Sequence, residues 1–103
     1  MSGCIYKISN LDDDGIFYIG STNKFARRRA QHKKNTSNKS NKKYWCKLYH
    51  YIRLMGGWDF FKIEILEETE NLKVREQQII DDLKPRLNSI NAVSRQASKD
   101  YIL

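Results

Sequence analysis

Two short runs near the N-terminus, "CIYKIS" from Cys4 to Ser9 and "IFYIG" from Ile16 to Gly20, concentrate β-branched and aromatic side chains. Such side chains suit a pleated, half-buried surface, so both runs predict strands. Between them "NLDDDG" supplies turn residues ending in Gly15, and the pair reads as a hairpin. With Tyr6 set opposite Tyr18 the loop centres near Asp12 and both phenols stand on one face of the sheet. Any even shift of register preserves that shared face.

Polar Ser21, Thr22 and Asn23 offer N-caps for a helix running from Phe25 to about Lys34. Phe25, Arg28, Arg29 and His32 recur there at i, i+3, i+4 and i+7, so an apolar anchor and several cations point to one side. Asn35 to Lys43, "NTSNKSNKK", is basic and low in complexity, which predicts an exposed flexible loop able to track a phosphate backbone. Trp45, Leu48, Ile52 and Met55 follow at helical spacing as a core stripe, stopped by Gly56 and Gly57. In "WDFFKIEILEE", Phe61, Ile63 and Ile65 alternate with Phe60, Lys62 and Glu64, the period of a third strand with one buried face. A last helix carries Leu72, Ile79, Ile80 and Leu83 on its apolar stripe and ends before Pro85. Glu76 sits on that stripe, where the pattern asks for an apolar side chain. An unpaired buried carboxylate is costly, so Glu76 is expected to face a cleft, a cation or a metal.

Length and charge narrow the class. The 103 residues suffice for one core, and 19 Lys and Arg against 12 Asp and Glu give a formal charge of +7. A domain so basic meets a polyanion, nucleic acid before an anionic membrane. No apolar run approaches the roughly 20 residues of a membrane span, and "MSGCIYKISN" lacks the features of a secretory signal, so a soluble, intracellular protein is expected. Cys4 and Cys46, far apart, suggest neither a disulfide framework nor a zinc site, and Cys46 with His50 one turn later is a weak metal pair. His50 is read as structural. One domain spans 1–91, and Ala92 to Leu103 form a short tail with too little apolar content for a module of its own.

The chemistry these residues could share is phosphodiester hydrolysis. A water must lose a proton, the crowded phosphate must have its extra charge offset, and the departing oxygen must be protonated or held by a cation. Two tyrosines on one face, Arg28, His32 and Glu76 are groups of those kinds. Each also has a plainer account: cross-strand packing for the tyrosines, a solvated helix face for the arginine run, a structural imidazole, and an ion pair of Glu76 with Arg75 or a nearby lysine.

The order of the pieces narrows the choice. "CIY" at Cys4 to Tyr6, "YIGST" from Tyr18, "RRRAQH" ending in His32, "FKIEILEE" and "REQQIIDDLKPRLN" together resemble the GIY-YIG nuclease superfamily over Cys4 to about Asn91. The resemblance implies an α+β fold, a three-stranded antiparallel sheet flanked by helices, and a metal-dependent endonuclease of DNA with one site per chain. It implies Tyr6 as general base or water-positioning phenol, Tyr18 as its partner at the water or phosphate, Arg28 as the phosphate's cation and His32 as phosphate contact or proton relay. Glu76 would be the sole protein ligand of Mg²⁺ or Mn²⁺, and Asn88, with Asn91 a close second, would fix the site's geometry. Arg27, Arg29, Lys33, Lys34, Lys39, Lys42 and Lys43 are expected along the nucleic acid. The family's first glycine is Cys4 here, a departure that touches backbone packing rather than the tyrosine that carries the role. Expected partners are duplex or branched DNA, with the protein a monomer or weak dimer served by a separate targeting partner or acting alone. The rival class is a catalytically silent nucleic-acid-binding module, and a weaker one is a protein-interaction domain built on the basic loop.

Overall fold

A computed structural model describes residues 2–88. Asn91 and the Ala92 to Leu103 tail lie outside the described residues. Strand β1 (Gly3–Asn10) is central, with β2 (Phe17–Thr22) and β3 (Phe61–Thr69) antiparallel on its two sides in the order β2-β1-β3. Helices α1 (Phe25–Ser37) and α2 (Lys47–Leu54) lie between β2 and β3 in sequence, and α3 (Leu72–Leu83) follows β3.

The hairpin turn is built from side chains that mimic backbone turns. Asn10 Oδ1 accepts the Asp12 N–H at 2.9 Å and Asp13 Oδ1 accepts the Gly15 N–H at 3.0 Å. The register differs by two residues from the one expected: Tyr6 pairs with Gly20 and Ile8 with Tyr18. Because the shift is even, Tyr6 and Tyr18 still share a face, now diagonally. On the other side of β1, Ile5 pairs with Glu67 but Tyr6 with Ile65, so Leu66 is an extra residue that bulges β3 next to Tyr6. Bulges bend and twist a strand locally, which re-aims the side chain they adjoin.

Register sorts the two faces. Tyr6, Ile8, Tyr18, Phe61 and Ile63 share one face, and Tyr6, Ile8 and Phe61 form its core with Leu48, Tyr49 and Ile52 of α2. Ile5, Ile19 and Ser21 point to the other face, which α3 covers. Leu87, in a 3-10 turn at Arg86–Asn88, joins the α2 side of the core.

Several expected positions move. Ser21 and Thr22 belong to β2 rather than capping α1; Thr22 Oγ1 instead accepts the Lys24 N–H at 3.0 Å, and Lys24 takes the N-cap position. Helix α1 runs past Lys34 to Ser37, so Asn35 to Ser37 are helical rather than loop. Burial is the reason: Thr36 is buried, its hydroxyl donates to the His32 carbonyl at 2.8 Å, and Arg53 Nη1 donates to the Thr36 carbonyl at 2.8 Å. Trp45 and Met55 are exposed and lie outside α2, so they are not core; Leu48, Tyr49 and Ile52 are the buried residues of that helix. Gly56 and Gly57, at φ of 109° and 110°, follow α2 in a conformation that favours glycine, as the sequence required. Ile65 is exposed at the open end of the sheet beside Cys4, Thr22 and Phe25. Leu83 is exposed as well, Ile79 and Ile80 are half-buried, and α3 closes on Lys84 in the left-handed region just before Pro85. His50 is exposed on α2 rather than structural.

Arg53 is the main tie between α1, α2 and the segment joining them. Its guanidinium donates to the carbonyls of Thr36 and Tyr44, each at 2.8 Å, and its Cζ lies 3.5 Å from the Tyr44 ring centroid. Charge-assisted bonds to buried carbonyls and a cation–π contact of this kind together are worth about 2–3 kcal/mol. Arg53→Ala is therefore expected to lose about that much stability in urea denaturation. Arg53→Lys, which retains the charge but not the planar fork, should recover less than half of it.

Candidate active site

Gly20 explains why the strand sequence is "YIG" rather than three bulky residues. A Cβ on Gly20 would sit 2.5 Å from the Tyr6 hydroxyl oxygen, 2.6 Å from Tyr6 Cζ and 2.9 Å from Tyr18 Cε2. The two rings close over this bare backbone with centroids 6.3 Å apart. A similar close approach occurs at Gly3, where a Cβ would sit 2.6 Å from the Thr22 carbonyl oxygen, whereas Cys4, in the motif's first glycine place, is buried opposite Thr22 and Glu68. Glycine is required one residue earlier than the motif letter suggests.

Tyr6 is 1 % exposed, and a hydroxyl so buried needs a partner. His32 of α1 provides it: Nε2 lies 2.7 Å from the Tyr6 hydroxyl, and Nδ1 lies 2.7 Å from the hydroxyl of Tyr49 on α2. Asn35 Nδ2 also donates to that Tyr49 oxygen at 3.3 Å. His32 is 3 % exposed and stacks 6.4 Å from the Trp58 ring. Both ring nitrogens of His32 are thus engaged by phenol hydroxyls. Tyr49 went unnoticed in the sequence; the one signal was a phenol on the buried side of α2 one turn after Trp45.

Electrostatics tie two further residues to the phenols. Burial pushes Tyr6 well above the ordinary phenol value, with neighbouring Tyr18 next in effect; the Arg28 guanidinium acts in the opposite direction and the Glu76 carboxylate in the same one. Tyr18 is pushed up to about 12, again by burial first, with Glu76 raising and Arg28 lowering it. Burial brings His32 down to about 4, helped by the positive charges of Arg28 and Lys43, so the imidazole is neutral at pH 7.

Glu76 approaches from α3 around the edge strand β2. Its side chain is 20 % exposed, Oε1 accepts the Ser21 hydroxyl at 2.8 Å, and Lys73 Nζ lies 3.9 Å away. Arg75 turns away to Glu67, with Nε and Nη2 each 2.6 Å from a carboxylate oxygen, so of the ion pairs expected for Glu76 the one with Arg75 does not form and the one with a nearby lysine, Lys73, does. Glu76 Oε2 has no partner among the described residues, and no cluster of three or more His, Cys, Asp or Glu suited to a metal occurs among them. A single partly shielded carboxylate fits Mg²⁺ or Mn²⁺, which keeps several waters and takes substrate phosphate as further ligands. Asn88 grips the same strand: Oδ1 accepts the Ile19 N–H and Nδ2 donates to the Ile19 carbonyl, both at 2.7 Å.

A groove of about 810 Å³ is lined by Tyr18, Arg28, His32, Tyr49, Lys42 and Lys43 among others, while Tyr6, Glu76 and Asn88 are not on its wall. The basic residues divide accordingly. Arg28 is half-buried in the groove; Arg27 lies in a hollow beside it, and Arg29 faces Phe25, Trp58 and Phe61 elsewhere. Lys33 lines a separate hollow with Tyr44 and Arg53, and Lys34 and Lys39 are exposed outside the groove.

A buried tyrosine and histidine pair on a three-stranded sheet, with the charges of an arginine and a glutamate acting on the same phenols, is the candidate active site. A family model described as the GIY-YIG catalytic domain matches residues 2–91. Among solved structures the chain resembles the catalytic domain of intron endonuclease I-TevI, in a glutamate-to-alanine mutant form. The TM-score is 0.67 and the identity 26%, over 88% of this chain and 90% of that one. A search of curated proteins gave no match. The chain belongs to the GIY-YIG family and is an endonuclease.

The neutral, buried imidazole has a measurable signature. His32 takes up a proton near pH 4 when folded and near 6.5 when unfolded, so the unfolded chain binds more protons between these values. Stability due to His32 is thus fully present above about pH 6.5 and is lost as pH falls towards 4. The His32 Cε1–H resonance should show no titration midpoint above about pH 5 by NMR. A midpoint near 6.5 would contradict the buried bridge.

Proposed function

We propose that the domain hydrolyses phosphodiester bonds of DNA in a divalent-metal-dependent reaction, one strand per active site. The observation that carries this reading is the Tyr6–His32–Tyr49 chain of hydrogen bonds, whose His32 and Tyr49 line a basic groove, with the charges of Arg28 and Glu76 acting on the phenols. Cleavage of both strands then needs two chains or two successive cuts.

Burial raises Tyr6 too far for a standing phenolate to act as base. A concerted transfer avoids that species. Tyr6 Oη accepts a proton from the attacking water as its own passes to His32 Nε2; the Nδ1 proton passes to Tyr49 Oη, and the Tyr49 proton leaves to water in the groove. The Asn35 donor helps to orient Tyr49, whose oxygen accepts from two sides and leaves its own proton free to point outward. His32 stays neutral before and after the step, in keeping with its low basicity. Tyr18 holds the water or a phosphate oxygen, and Arg28 offsets the charge that builds on the phosphate. Glu76 would hold the Mg²⁺ or Mn²⁺, which when bound supplies Lewis-acid polarisation of the phosphate and stabilises the departing oxygen. Ser21 orients the Glu76 carboxylate, and Asn88 fixes the β2 backbone beneath Tyr18. Lys42 and Lys43 neutralise phosphates along the groove; Arg27 and the outer Lys33, Lys34 and Lys39 contribute the long-range field.

Nicking of supercoiled plasmid with Mg²⁺ or Mn²⁺ tests the proposal. Tyr6→Phe and Glu76→Ala should each lower nicking by at least about 100-fold while DNA affinity at fixed salt changes little. Normal nicking by Tyr6→Phe would remove Tyr6 as the proton acceptor, and normal nicking by Glu76→Ala would remove Glu76 as the metal ligand; no nicking by the wild type on duplex, branched and single-stranded DNA would favour a silent binding module. For Tyr49, the relay predicts that Tyr49→Phe lowers kcat with KM unchanged and moves the alkaline limb of the pH–rate profile. An unaltered profile would leave Tyr49 as a packing residue.

A further inference from the structure

Trp45 leaves 70 % of its surface open to solvent, an unusual position for the largest apolar side chain in a basic groove. Single exposed apolar residues are common, so exposure alone means little. Its setting is more informative. The indole stands edge-on to Tyr44, centroids 4.8 Å apart at 87°, and Tyr44 is itself buried. Arg53 packs on Tyr44 and lies 5.4 Å from the indole centroid, anchored by its bonds to two carbonyls. The ring is therefore held in place before any ligand arrives, so little ordering cost remains for binding.

Its neighbours select the ligand. Trp45 lines the groove that also holds Tyr18, Arg28 and Tyr49, and Lys42 and Lys43 lie along the same wall. An open aromatic face ringed by cations matches a polyanion that carries aromatic faces of its own. In continuous duplex those faces are covered by neighbouring base pairs; an unstacked base presents one. We infer that Trp45 is a stacking plate for an unpaired nucleobase close to the scissile phosphate, and that the enzyme prefers DNA with a bulge, flap or branch to continuous duplex. The inference rests on the proposed DNA cleavage and adds the shape of DNA that the site selects.

The full chain can be tested with two labelled duplexes of one sequence, one continuous and one with a single unpaired 2-aminopurine, bound in EDTA so that no cutting intervenes. Stacking on an aromatic side chain predicts roughly tenfold tighter binding of the bulged duplex and quenching of the 2-aminopurine. Trp45→Ala should bring the ratio of the two affinities close to one and abolish the quenching, and Trp45→Phe should keep most of both. Equal wild-type affinities, no quenching, or a ratio unchanged in Trp45→Ala would overturn the inference. So would a change from dimer to monomer in Trp45→Ala by sedimentation, which would make the plate a surface for a second copy. Cleavage without bulge preference would sink this inference alone; absence of DNA binding would sink the cleavage reading too.

Discussion

The site depends on one requirement, that a phenol hydroxyl buried at the centre of the sheet have a hydrogen-bond partner. Tyr6 stands on the middle strand, where any unpaired polar atom is costly. His32 meets that demand from α1, and Tyr49 meets the demand of His32 from α2. Three elements distant in sequence are thus held together by two short hydrogen bonds in a medium of low dielectric, where such bonds are strong and their loss is severe.

Charge in the site is divided by depth. The buried groups, Tyr6, Tyr18, His32 and Tyr49, are all held neutral by desolvation, the phenols pushed up and the imidazole down. The guanidinium of Arg28 and the carboxylate of Glu76 stay partly exposed and act on the phenols with opposite signs. A neutral interior with charge at its mouth avoids the desolvation penalty of an internal ion pair while keeping cation and anion within reach of a phosphate.

Much of this was legible in the sequence because strand and helix periods report directly on faces. The even spacing from Tyr6 to Tyr18 preserved their common side despite a two-residue shift in register, and Glu76 stood out because a carboxylate interrupted an apolar stripe. Trp45 and Met55 show where periodicity fails: they match a helical spacing, but α2 begins at Lys47 and ends at Leu54, so neither is on the helix that the spacing assumed. Ile65 fails differently, since alternation identifies a face and not how far a covering helix extends along it. Tyr49 and Ser21 were silent because their roles come from partners 17 and 55 residues away, and no local pattern records such a pairing. The run of arginines separated only once the helix was seen in three dimensions, with Arg28 in the groove and Arg29 turned towards Trp58.

Asn88 holds both the N–H and the carbonyl of Ile19. A carboxamide offers the same donor and acceptor as a peptide group, so one side chain completes a rung of the sheet where the described residues supply no fourth strand. β2 is an edge strand, and open edges invite pairing with other chains. Here the rung beneath Tyr18 is already occupied. The residue that steadies β2 therefore also closes this part of its edge to strand addition, giving the domain a defence against aggregation.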